Sequence, residues 1–191
     1  ATWSNHAYLT AGDFDLKDGA WSHPTFKAKD LAAAGKFSID PVKISVTQVE
    51  GRALRGTFNS EVEITNWNAA EKPAHPPKPL VERGTALIKA RDISLADLFA
   101  SLEAPLGPLK SLRLAGSVTT SSEIRWKESI RDAELSSSVS VARPSHVSVG
   151  QLPITASAQF SYRVRPGTLD ISDLSASTPA TQVRASGTLS K

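Results

Sequence analysis

The sequence predicts an all-β fold: an antiparallel sheet of long amphipathic strands, with one short helix. Three observations carry this expectation. Apolar residues recur at every second position over long stretches, as on a strand with one apolar and one wet face. A strand phrase is repeated: Phe26-Lys27-Ala28-Lys29-Asp30-Leu31, Ile88-Lys89-Ala90-Arg91-Asp92-Ile93 and Leu169-Asp170-Ile171-Ser172-Asp173-Leu174. A glycine phrase punctuates the chain: Gly35-Lys36-Phe37, Gly56-Thr57-Phe58, Gly116-Ser117-Val118 and Gly187-Thr188-Leu189. Strand grammar repeated in this way predicts a long β surface rather than a single deep pocket. An iterated amphipathic sheet presents a continuous apolar face, and its role depends on what covers that face.

The elements follow in chain order. Leu31 to Gly35 reads as a strand entry rather than a helical turn. Val42, Ile44 and Val46 open the alternation, and Phe58, Ser60, Val62 and Ile64 continue it. The stretch 68–79 holds Pro73, Pro76, Pro77 and Pro79; proline removes ladder donors, so an exposed, semi-extended loop is expected there. Residues 94–104 are the predicted helix. Ser94 and Asp97 make a capping-box-like start, Leu95, Leu98, Phe99 and Leu102 share one face, and Pro105 and Gly107 stop it. This helix is expected to pack on the apolar face, or to act as a lid over a groove.

Leu112, Leu114, Gly116, Val118, Thr120, Ser122, Ile124 and Trp126 form the next alternating run. Leu135, Val139 and Val141 keep phase around Ser136-Ser137-Ser138. Leu152, Ile154, Ala156, Ala158, Phe160, Tyr162 and Val164 make the longest run, and Val183, Ala185, Gly187 and Leu189 close the chain. Such alternation belongs to antiparallel sheets, because buried parallel strands are continuously apolar. Turns are expected at Asp18-Gly19, Glu50-Gly51, Arg83-Gly84 and, most clearly, Arg165-Pro166-Gly167. Asp30, Asp92 and Asp173 are expected to end strands by bonding local amides.

Composition narrows the function classes. The chain is 191 residues long, with 40% hydrophobic and 21% charged residues, which suits one core-forming segment of a larger repeat protein. Its net charge of +3 is spread among mixed signs, without interleaved aromatics, so no nucleic-acid partner is expected. There is no cysteine, which excludes disulfides, thiolate metal sites and cysteine nucleophiles. There is no methionine and the chain begins at Ala1, as expected of a processed product or an internal fragment. No stretch approaches the roughly 18 apolar residues of a membrane span, so any anchor is expected outside these residues.

The sequence offers no catalytic residue, cofactor or metal site. His6, His23, His75 and His146 lack ligand spacing and read as surface residues. Asp13, Asp15 and Asp18 lack the glycine and glutamate of a calcium loop. Glu61 and Glu63 read as solubilising charges on one strand face. Trp3, Trp21, Trp67 and Trp126 are spread over separate strands and are expected in the sheet interior or at its rim, not as a sugar platform.

The phrases 112–118, 169–174 and 184–189, together with the Asp92-Ile93-Ser94-Leu95-Ala96-Asp97-Leu98 entry into a short helix, resemble the AsmA/TamB superfamily of bacterial envelope proteins. The resemblance covers residues 10 to 190, and the chain departs from it at the proline loop. It implies an internal segment of a periplasmic protein anchored in the inner membrane, with an elongated, curved sheet whose concave face is a hydrophobic groove. It implies phospholipid transport between the membranes, support of outer-membrane biogenesis, and an outer-membrane assembly protein as partner. It carries no catalytic residues.

The expected function is therefore non-enzymatic handling of phospholipid acyl chains. The groove candidates are Leu112, Leu114, Val118, Ile124, Leu152, Ile154, Phe160, Tyr162 and Val164, with Leu95, Leu98, Phe99 and Leu102 as lid candidates. The competing expectation is a closed β-sandwich, a structural or protein-interaction module without lipid cargo.

Overall fold

The computed structural model describes residues 2–4, 7–24, 26–67, 81–102 and 112–190. The proline-rich stretch 68–79, with His75, and also His6 lie outside the described residues. In chain order the strands are β1 (Thr2–Ser4), β2 (Ala7–His23), β3 (Phe26–Ile39), β4 (Lys43–Ala53), β5 (Gly56–Thr65) and β6 (Arg83–Ser94). Helix α1 (Leu95–Ser101) follows. Then come β7 (Leu114–Ala115), β8 (Ser117–Lys127), β9 (Glu134–Ala142), β10 (Leu152–Pro153), β11 (Thr155–Arg163), β12 (Thr168–Ser177) and β13 (Gln182–Ser190).

Eleven strands form one antiparallel sheet in the order β1-β2-β3-β4-β5-β6-β8-β9-β11-β12-β13. It is a meander: each strand pairs with its successor, except where β7 and β10 leave the sheet. Those two pair with each other, in parallel. The sheet is open and does not close into a barrel, since β13 pairs only with β12. The fold is thus all-β, as the alternation predicts. The closed sandwich is not formed, because the described strands supply no second large sheet to cover the first.

Two long alternating runs are each broken in a way the sequence does not announce. The run from Leu112 splits at Gly116, and the run from Leu152 splits at Ile154. In both, the first residues peel away from the main sheet into the β7/β10 ribbon. Pro153 cannot donate to a ladder, whereas Ile154 and Leu152 donate their amides to Ala115 and Arg113 carbonyls.

The repeated aspartates are not strand ends. Asp30, Asp92 and Asp173 all sit where the register slips inside a continuing strand. Asp18 and Gln48 occupy similar slips in β2 and β4. Asp18, Asp30, Gln48 and Asp92 have φ near +55°, the left-handed region that Asp tolerates better than most residues. These are β-bulges, each adding a residue to one strand and increasing its bend and twist. The recurrent phrase therefore encodes a bend rather than a stop.

Three predicted turns also lie inside strands. Asp18-Gly19 is within β2, Glu50-Gly51 within β4, and Arg83-Gly84 at the start of β6. Only Arg165-Pro166-Gly167 falls at a hairpin, between β11 and β12. The β3–β4 turn is instead held by Asp40, whose carboxylate accepts the Val42 and Lys43 amides at 2.7 Å. The β4–β5 turn uses Leu54 and Arg55, both at positive φ.

Candidate functional site

Strand pairing sorts the side chains into two faces. On one face the register lines up apolar rows across the strands. One row runs Phe37, Val46, Val62, Ala86, Ile124, Leu135, Tyr162, Leu169 and Leu189. At about 4.8 Å per strand it extends roughly 38 Å. The row beside it, Val49, Ser60, Ile88, Ser122, Ser137, Phe160 and Ile171, is mixed. There the hydroxyls of Ser122 and Ser137 lie 2.8 Å apart, and Thr120 bonds both. Mutual bonding satisfies these hydroxyls within an otherwise apolar surface.

Aromatic rings on this face lie over glycines on the neighbouring strand. Phe37 faces Gly12, Phe14 faces Gly35, Phe58 faces Gly51 and Trp126 faces Gly84. A Cβ at Gly84 would come 1.9 Å from the Trp126 ring, and one at Gly51 would come 2.4 Å from Phe58. Absence of a side chain is what lets each ring lie down across the strand. Trp126 is then buried, and its Nε1–H donates to the Glu82 carboxylate at 2.7 Å.

One end of the apolar face is covered. Helix α1 and the β7/β10 ribbon pack there on Ala90, Ile93 and Val118, joined by Leu95 and Leu114 in the buried core. Leu54, Phe58, Leu98, Phe99, Val139, Val141, Leu152 and Ile154 complete this cluster. The helix is pinned in several ways. Ser94 Oγ accepts the Asp97 amide, as the capping pattern predicts, and Arg55 pairs with Asp97 at 2.9 Å. The Leu95 amide donates to the Gly116 carbonyl. Leu102 is not helical but extended, bridging to Phe26. The predicted end at 104 is thus too late: the helix stops at Ser101 because Leu102 joins a strand-like pairing.

The groove candidates divide accordingly. Leu114 (8% exposed) and Val118 (6%) are core beneath α1, and Leu152 and Ile154 pack against that core. Ile124, Phe160 and Tyr162 lie half-buried on the uncovered part of the apolar face. Leu112 and Val164 (both 45% exposed) sit in connections rather than in strands. Among the lid candidates, Leu95, Leu98 and Phe99 are packed into the core as a fixed cap, with Leu102 half-buried at its end. The candidate list misses Leu135, Leu169 and Ile171, which share rows with Tyr162 and Phe160. Their signal was the same alternation, in β9 and β12.

The opposite face is polar. Along one of its rows Glu63, Thr85, Arg125, Glu134 and Arg163 alternate in charge. Lys43–Glu63 (2.8 Å), Arg125–Glu123 (2.7 Å) and Arg163–Asp170 (3.0 Å) are paired on this face. A shallow trough of about 700 Å³ lies here, lined by short polar side chains including Ser121, Ser136, Ser138 and Ser161. Among the described residues no cluster of acidic or histidine side chains could hold a metal ion, and no helix is long and apolar enough to cross a membrane. No protein-family model, curated protein or solved structure matches the chain.

Proposed function

We propose that the chain is a non-enzymatic, lipid-handling segment of a periplasmic protein anchored in the inner membrane, carrying phospholipid acyl chains for outer-membrane biogenesis. One observation supports this reading best: a single open sheet presents a long apolar face that, among the described residues, the cap covers only at one end. The uncovered part centres on Val62, Ile64, Ile88, Ile124, Leu135, Phe160, Tyr162 and Leu169. Each acyl methylene removed from water there gains about 0.8 kcal/mol. A surface of many similar aliphatic contacts favours sliding over tight capture. The chain's resemblance to AsmA/TamB proteins points the same way, and on that reading an outer-membrane assembly protein is the partner at one end.

Native mass spectrometry with lipid extraction tests the proposal. Phospholipid should co-purify with the protein and be largely lost in Ile124→Asp and Phe160→Asp variants whose circular dichroism still shows a sheet. Val118→Asp, in the core under α1, should unfold the capped end instead, because an unpaired charge is buried. A lipid-free protein that also takes up no added phospholipid overturns the proposal.

A further inference from the structure

Two rows of the polar face carry cations without a carboxylate: Lys43, Thr65, Arg83 and Lys127, where Lys43 pairs with Glu63, and a second row at the far end of β4, β5 and β6. Arg52, Thr57 and Arg91 are directly opposed on β4, β5 and β6, so the row carries two cations and no carboxylate. In the next row Lys89 lies across Asn59 from Glu50. These residues line a depression of about 610 Å³ together with Ala32 and Ala34. Its other charges, Asp15 and Lys17, pair with each other at 3.0 Å. Arg52, Lys89 and Arg91 make no ion pair among the described residues, and Glu50 is the one carboxylate left facing them. Lys89 also borders three adjoining depressions, which places it in the middle of this face.

We propose that Arg52, Lys89 and Arg91 bind a phosphate group over Thr57 and Asn59. The two arginines flank Thr57 at one strand spacing each, about 10 Å apart at the backbone, and both line the same depression. A guanidinium fork matches two phosphate oxygens at once, and the ammonium of Lys89 adds a third cation. Thr57 and Asn59, between the cations, supply neutral donors. A bound dianion also removes the mutual repulsion of three like charges. The spacing suits a diphosphate or a phosphomonoester held between the arginines. The site is open to solvent, so its binding weakens with added salt. It stands apart from the apolar face and does not depend on lipid handling there.

The test is calorimetric titration of the whole chain with inorganic diphosphate at low salt, beside sedimentation with phosphatidylcholine vesicles containing phosphatidic acid. Saturable diphosphate binding is expected, weakened about ten-fold or more in the Arg52→Gln/Arg91→Gln double variant and unchanged in Lys43→Gln. Binding only to the acidic vesicles, with the same loss in the double variant, assigns the phosphate to a lipid headgroup. Absence of saturable binding to either probe, or equal binding by the double variant, overturns the site. All three substituted side chains lie on exposed or partly exposed sheet surface, so the variants retain the fold.

Discussion

Gly84 and Trp126 show how single residues shape this sheet. The indole occupies the space a side chain on β6 would fill, and its N–H reaches Glu82. Gly84→Ala places a methyl in that space and must displace the ring. We expect a loss of about 2 kcal/mol by urea denaturation, the usual cost of overpacking; unchanged stability would mean that the ring has another low-energy position. Glycine facing an aromatic recurs at Gly12, Gly35 and Gly51, and among the glycine phrases of the sequence Gly35, Phe37 and Phe58 each supply half of such a pair. The other half stands on a neighbouring strand, as with Phe14 for Gly35. The aspartate phrases have a similar logic. Asp92 takes the bulge conformation while its carboxylate accepts the Ser117 hydroxyl at 3.0 Å on the next strand.

At the scale of elements, the β4–β5 turn and α1 hold one another. Leu54 and Arg55 adopt φ of 50° and 66°, unfavourable for residues with a Cβ. Their compensation comes from elsewhere: Leu54 packs on the core cluster and its carbonyl accepts the Ser94 amide, while Arg55 pairs with Asp97. The Arg55 side chain is 81% exposed, so that ion pair contributes little in water. Relief of the left-handed conformation should outweigh it. Arg55→Gly is therefore expected to raise stability by about 0.5 kcal/mol, measured as a shift in the urea midpoint at constant slope; a decrease would show that the Asp97 pair carries the helix. A turn made from Leu and Arg is invisible to turn chemistry, because the residues that tolerate it are recruited by the helix they touch.

Across the whole molecule, cover is uneven. The capped end holds the buried core, while β13 is exposed along its whole length and Leu189 is 62% exposed. Amide hydrogen exchange should follow that gradient. Slowest exchange is expected in β6, β8 and β9 beneath α1, and fast exchange in β13, which among the described residues has one hydrogen-bonded neighbour and is exposed throughout. Uniform protection across the sheet would contradict this division. The same gradient separates the predicted groove residues into core, such as Val118, and open surface, such as Ile124 and Phe160. Both kinds lie in phase on their strands, and alternation alone cannot tell them apart.

The sequence by itself determined which side chains share a face within a strand and where the helix begins. These follow from local physics: a period of two sets the faces, and Ser94 caps the next turn of chain through its own oxygen. Tertiary structure alone decided the rest. It turned Asp30, Asp92 and Asp173 from stops into bends, because a bulge is defined by the count of residues on the partner strand. It drew Leu114 and Leu152 out of long apparent strands into a capping ribbon, a pairing between segments far apart in sequence. Among the described residues it also left the rest of the apolar face open, because cover is a property of the assembled layers and not of any one strand.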